Sequence, residues 1–220
     1  MNAFDIIGPV MVGPSSSHTA GVTRIGLVTR KLLGERPVKA VIYFHGSLAK
    51  THRGHGSDKA IIGGLLGFDT DDLRIRNSLE IAQQEGLAYD FQKIELSDVH
   101  PNTLIAKVEG ESGKRVEVLA SSIGAGAILV KRFNGTEVEF TGDYNTIVIH
   151  HHDTPGMIAA VAQRFQEDQI NIANMRVYRS KKHGDAFMII EIDQDFPKGI
   201  EERMRGIEGI SEVMLLEAVQ

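Results

Sequence analysis

Apolar residues recur at helical spacing soon after the start of the chain. Following Gly13-Pro14-Ser15-Ser16-Ser17-His18-Thr19, residues Val22, Ile25, Val28 and Leu32 mark one face of a helix. Ser15 to Thr19 then form the loop and first turn, where hydroxyls accept from amides that have no partner inside the helix. Gly34 and Pro37 end the helix, and Val38 to Phe44, rich in Val, Ile and aromatic residues, predicts a strand. The strand runs into His45-Gly46-Ser47 and a polar loop reaching Asp58. Ser57 or Asp58 is placed to cap a second helix carrying Ile61, Ile62, Leu65 and Leu66, and Asn77 to Gln84 is a short third helix.

Strands dominate the middle of the chain. Thr103–Glu109 and Arg115–Ala120 flank Gly110-Glu111-Ser112-Gly113, a hairpin pattern, and Ser122 to Gly126 reads as a flexible stretch of small residues. Ile128–Phe133 and Thr136–Phe140 flank Asn134-Gly135, a strong hairpin signal. Thr141-Gly142-Asp143 is the expected boundary, giving domains 1–143 and 146–220. In the second, Thr146–His150 is a strand, Pro155–Gln166 a helix with Met157, Ile158, Val161 and Phe165 on one face, and Asn174–Arg179 a strand. Pro155 suits a first helical turn, where its missing amide costs nothing. A turn at Lys181–Gly184, a strand at Ala186–Ile192, a helix at Pro197–Arg205 and a strand at Glu212–Leu216 complete the order βαββαβ. The fold class is therefore α/β (α+β): a mixed N-terminal domain followed by a ferredoxin-like module.

Composition narrows the function classes. The chain has 220 residues, is 42% hydrophobic and 24% charged, and carries a formal net charge of −5. That suits one large or two small globular domains and argues against a broad nucleic-acid surface. No run of 18 apolar residues occurs, so no membrane span is expected. Met1 to Val12 lacks the basic stretch of a signal peptide, and a cytoplasmic location is expected. There is no cysteine, which excludes disulfides and thiolate-held metals or iron–sulfur clusters within this chain.

Three segments carry candidate chemistry. The Gly13–Gly21 stretch combines glycines, hydroxyls and a helix start, a setting for a carboxylate or phosphate, although it lacks the ending of a Walker loop. Its plainer reading is a well-capped helix. His45 to Asp58 holds three histidines (His45, His52, His55) with Lys50 and Arg53 after a buried strand, where an imidazole general acid or base is reasonable. The spacing of His52 and His55 has no accompanying carboxylate or cysteine pattern, so no metal is assigned. The plainer reading is a polar glycine-rich loop. His150, His151 and His152 sit at a strand end, where alternation lets only His150 and His152 share a face.

Two resemblances add to this. His152-Asp153-Thr154-Pro155-Gly156-Met157-Ile158, followed by Gln169-Ile170-Asn171-Ile172-Ala173, resembles the ACT domain family. Such domains pair side by side and bind amino acids at the shared edge, and their ligand-contacting positions match Asp153 and Asn171. An aspartate in place of the usual amide repels a carboxylate and attracts an ammonium. The module is thus expected to serve ligand binding or pairing alone.

The phrases Gly13 to Gly21, His45 to Ala60 and Ser121 to Gly126, in that order, resemble the β part of iron–sulfur-dependent L-serine dehydratases. That resemblance implies an L-serine ammonia-lyase forming pyruvate and ammonia. Its [4Fe-4S] cluster would be ligated by a separate α chain, the partner of this one. It implies His18 and His55 at a shared active site, orienting substrate or relaying a proton. Ser15, Ser16, Ser17, Thr19, Ser47 and Thr51 would lie towards substrate or the interface. This sequence departs from the family pattern at His52, where many relatives have glycine, and at Gly56, where some have a second histidine. The rival readings are a stand-alone ACT-type amino-acid sensor without catalysis and, more remotely, a histidine–metal hydrolase.

Overall fold

A computed structural model describes residues 9–179 and 181–219. The reading of the chain's first eight residues lies outside them. The chain divides after Gly135, into one unit ending there and a second spanning Thr136–Val219. No helix among the described residues is long and apolar enough to cross a membrane.

The first unit contains α1 (Gly21–Leu33), β1 (Pro37–Phe44), α2 (Gly46–His55), α3 (Ser57–Leu66), α4 (Ser78–Gln84) and β2 (Ala88–Lys93). It continues with β3 (Thr103–Gly110), β4 (Arg115–Gly124) and β5 (Ala127–Phe133). These strands lie in the order β2-β1-β3-β4-β5. The β1–β2 pair is parallel and the other pairs antiparallel. Helix α1 buries Val22, Ile25, Val28 and Leu32 completely, as its periodicity requires. It ends at Gly34 in the left-handed conformation (φ 74°).

Helix α1 crosses α3 with backbone against backbone. A Cβ on Gly26 would stand 2.6 Å from the Ile61 carbonyl oxygen, and one on Gly64 would overlap the Thr23 carbonyl oxygen. The two glycines therefore set how closely the helices approach. That in turn positions the loop before α1 against the start of α3.

Several expectations are corrected. The polar loop from His45 to Asp58 is helix α2, because Leu48 and Ala49 give it a buried face and Gly56 (φ 70°) ends it. Gly56 also opens α3; the Ser57 hydroxyl does not cap that helix but donates to the His18 carbonyl at 2.7 Å. The Ser122–Gly126 stretch is ordered. It finishes β4 and turns through Ala125 (φ 49°) and Gly126 (φ 83°), and Gly124 pairs with Ala127. Positive φ at both central residues fits a tight hairpin turn matched to sheet twist.

Asn134 (φ 46°) and Gly135 (φ 81°) form the turn leading to β6 (Thr136–Phe140), the first strand of the second unit. That unit continues with β7 (Asn145–His152), α5 (Met157–Glu167), β8 (Ile172–Arg179), β9 (Asp185–Ile192), α6 (Ile200–Arg205) and β10 (Ile210–Leu216). The antiparallel sheet β10-β7-β9-β8 is the ferredoxin-like order expected from βαββαβ. Its core joins Ile147 and Ile149 of β7, Val161 and Phe165 of α5, and Met204 of α6. Pro155 lies in the turn before α5, whose first residue is Met157, and Ile158 points to solvent at 52% exposure. The inward face is thus Met157, Val161 and Phe165, each four residues apart.

Candidate functional site

The two motifs of the first unit meet. Ser15 caps a π-helical turn, Ser16–Ala20, that leads directly into α1. Such widened turns favour functional sites because they re-aim side chains. Gly13 packs so tightly on this turn that a Cβ there would stand 2.5 Å from the Thr19 side chain. Opposite lies α2, in which Ser47, Thr51 and His55 fall four residues apart and so share a helical face. The helix, rather than a loop, is what brings residues from both its ends to one place.

His18 occupies the centre. Its Nε2 lies 2.9 Å from Ser47 Oγ, and its Nδ1 lies 3.2 Å from Ser15 Oγ and 3.1 Å from Ser17 Oγ. The His55 ring is 4.8 Å away, centroid to centroid, tilted by 38°. Burial, and secondarily the nearby His55, push the His18 imidazole below its ordinary pKa, because both disfavour its charged form. His55 has a buried Nδ1 without a hydrogen-bond partner among the described residues.

The remaining predicted residues support this pair. The buried Thr19 hydroxyl donates to the His55 carbonyl at 3.0 Å, and the Thr51 hydroxyl donates to the Ser47 carbonyl at 2.8 Å. Both hydroxyl protons are therefore used inside the chain. Ser16 accepts the Gly21 amide through its carbonyl. Ser57, which sequence reasoning treated only as a helix cap, is fully buried and ties the His18 carbonyl to α3.

The other two histidines of the α2 segment lie elsewhere. His45 Nδ1 accepts from the Leu96 amide at 3.1 Å, and His52 stacks on Phe44 at 5.1 Å. Ser121 and Ser122 lie near the end of β4, beneath the π turn. Ser121 bonds Thr103 through their hydroxyls at 2.7 Å, and Gly21 abuts Ser122, whose buried hydroxyl is unpartnered among the described residues.

A cleft of about 480 Å³ opens beside His55, lined also by Gly13, Thr19, Arg53, Lys59 and Arg76. Its three cations were missed as a group, because Arg76 arrives from a turn distant in sequence. Such a lining attracts a carboxylate.

In the second unit, Asp153 and Asn171 lie at opposite ends of the sheet. Strand β8 begins beside Ile192 and ends beside Ala186, whereas Asp153 follows the β7 end that pairs with Asp185. The Asp153 carboxylate accepts from the His183 amide at 3.1 Å and from Arg179 at 3.2 Å. These bonds, the amide foremost, hold its pKa below the usual carboxylate range. Asn171 is exposed just before β8. His151 is buried, whereas His150 stacks on Phe187 at 4.7 Å. No group of three or more His, Cys, Asp or Glu residues suited to a metal occurs among the described residues.

A mixed α/β unit with paired histidines, joined to a ferredoxin-like unit, defines a two-module chain, and each module matches a known family. Residues 2–132 match the family described as Serine dehydratase beta chain, and residues 145–209 match the ACT domain. The chain is 42% identical over 212 residues to the probable L-serine dehydratase beta chain of Bacillus subtilis, covering 96% of each. It is 36% identical over 217 residues to the L-serine dehydratase beta chain of Peptoniphilus asaccharolyticus, covering 98% of each. A third relative, L-serine dehydratase of Helicobacter pylori, is 28% identical over 86% of this chain and 46% of its own length. This chain belongs to the serine dehydratase beta chain family, with a C-terminal ACT domain.

Proposed function

We propose that this chain is the β subunit of an L-serine ammonia-lyase, which converts L-serine to pyruvate and ammonia together with a separate α chain. The observation that carries the reading is the meeting of His18 and His55 at 4.8 Å, with Ser47 on His18, in a chain of this family. Elimination from serine requires removal of the α-proton and departure of the hydroxyl. An imidazole near neutrality suits the first task. His55 faces a cleft with cations for the carboxylate, and His18 sits where it can accept or return the proton. Ser15, Ser17 and Ser47 surround His18, Ser16 belongs to the turn that carries it, and Thr19 and Thr51 position the pair. The half of the Helicobacter relative that this chain does not cover supports an additional part being needed.

The family resemblance implies a [4Fe-4S] cluster. The residues of this chain do not fit one: there is no cysteine, and no metal-binding group occurs among the described residues. We assign the cluster's ligands to the α chain and route no step through it here. For the domains we propose 1–143 and 146–220, a boundary that assigns β6 to the first domain although the compact units divide before it. We also propose that the ACT domain self-pairs through its edge strand β8. Antiparallel pairing of two copies of this strand would bring Asn171 of one towards the Asp153–Arg179 end of the other.

The test is co-expression with a cysteine-rich α chain and measurement of serine-dependent pyruvate. Replacing His55 with glutamine should lower turnover by about a hundredfold or more, as loss of a general base does, with the complex still assembled. Turnover retained in that variant would refute the role of His55. Saturable serine binding, with no turnover beside any such partner, would favour the sensor reading instead.

A further inference from the structure

Helix α2 has a second concave side that the histidine pair does not use. Parallel pairing of β1 with β2 sets Ile42 beside Phe91 and Phe44 beside Lys93. The buried Phe44 ring stacks on Phe91 at 5.8 Å and on His52 at 5.1 Å. These three rings form one wall of a cleft of about 410 Å³. Lys50 and Arg53, three residues apart on α2, and Lys93 from the end of β2 also line it.

The charge balance of the cleft is unusual for this chain. Acidic residues outnumber basic ones, 29 to 24, and basic residues elsewhere are often paired: Lys107 with Glu117 at 2.9 Å, Arg115 with Glu109 at 3.0 Å, Arg203 with Asp168 at 3.1 Å. Lys50, Arg53 and Lys93 have no ion-pair partner among the described residues, and none of the cleft's described lining residues is acidic. Like charges at this helical spacing repel. A concave wall of low polarity concentrates their field. The buried Nδ1 of His52 adds a polar atom without a partner among the described residues. Such atoms in native folds call for an explanation. The volume falls in the range of small-molecule sites.

We propose that this cleft binds a small organic oxyanion, a phosphate or carboxylate head between Lys50, Arg53 and Lys93 with a flat body against Phe91 and His52. The site is separate from the cleft beside His55, yet Arg53 and Gly54 line both. An anion held here therefore engages a side chain that also borders the histidine cleft.

Calorimetric titration of the full chain with phenyl phosphate, benzoate and inorganic phosphate tests the proposal. Saturable binding of phenyl phosphate or benzoate with a dissociation constant of about 1 mM or tighter is expected, and whichever binds better identifies the head group. Inorganic phosphate should bind at least threefold more weakly than phenyl phosphate. The double variant Lys50→Gln, Lys93→Gln, with unchanged circular dichroism, should bind at least tenfold more weakly, and Lys59→Gln, in the other cleft, should bind as the wild type does. No saturable binding by either aromatic anion, or equal binding by the double variant, would overturn the site. Loss of binding in a folded Lys59→Gln variant would place the anion in the other cleft and equally overturn it. Inorganic phosphate binding as well as phenyl phosphate would overturn the flat-body assignment.

Discussion

Replacing Gly64 with alanine should destabilise the first unit, although alanine is the better helix former. In a helix interior the exchange alone favours folding by about 1 kcal/mol. Here the new Cβ would overlap the Thr23 carbonyl oxygen and stand 2.8 Å from both the Gly26 α-carbon and the Leu27 nitrogen, well inside ordinary contact at 3.4 Å. All three atoms are backbone, so no rotamer change relieves them, and α3 must withdraw from α1. Overpacking of this kind costs about 1–3 kcal/mol. The backbone overlap puts Gly64 at or beyond the upper end, leaving a net loss of about 2 kcal/mol. Gly54→Ala in α2 is the control: its Cβ would meet nothing within 4 Å, so it should gain up to about 1 kcal/mol. Urea unfolding followed by circular dichroism separates the two through their midpoints. A Gly64→Ala midpoint at or above the wild-type value would refute the crossing.

Three further outcomes are expected. Ser47→Ala removes the 2.9 Å partner of His18 Nε2 and should cost about 1 kcal/mol of stability; it should also lower turnover of the assembled enzyme about tenfold, and unchanged turnover would remove Ser47 from the site. The His18 pKa is lower in the folded chain than in the unfolded chain, so the unfolded chain binds more protons below about pH 6.5. Stability should accordingly fall as pH drops through that value, and His18→Gln should flatten this part of the profile of urea midpoint against pH. Asp153→Asn should weaken the turn before β9, read as faster amide exchange at His183, while leaving turnover intact; equal exchange rates would show that the carboxylate does not hold the turn.

Legibility in the sequence followed how sharply each element is patterned. Helix α1 was readable because its buried residues keep a strict helical period and Gly34 stops it. The ferredoxin-like order was readable because short apolar runs alternate with turn residues. Strand β2 was missed: it is a sheet edge whose exposed Asp90, Gln92 and Lys93 hide the alternation of Tyr89 and Phe91. Helix α2 was missed because only Leu48 and Ala49 are buried, among glycines and histidines that favour a loop reading. That error concealed most of the site. As a loop, Ser47 and His55 have no fixed relation, whereas as a helix they share a face. The contact between His18 and His55 spans two motifs and depends on the glycine crossing of α1 and α3, which no local pattern announces. Ser57 looked like a cap because serine at a helix start commonly is one, and here a positive-φ glycine took that place.

The hydrogen-bond partners of the two histidines differ in a way that fits the proposed division of their work. A neutral imidazole has one donor and one acceptor nitrogen. Both nitrogens of His18 face serine hydroxyls, which can donate or accept, so either tautomer of His18 is satisfied without moving a heavy atom. Such a ring can take a proton on one nitrogen and give one up from the other. His55 is held only through its backbone, where Thr19 donates to its carbonyl, and its ring nitrogens have no partner among the described residues. Its hydrogen-bonding capacity is left for a group arriving in the cleft that it lines. Burial, and secondarily the His55 ring 4.8 Å away, lowers the pKa of His18. This difference in partners fits the roles proposed above, with His55 as the group that meets substrate and His18 as the group that passes the proton on.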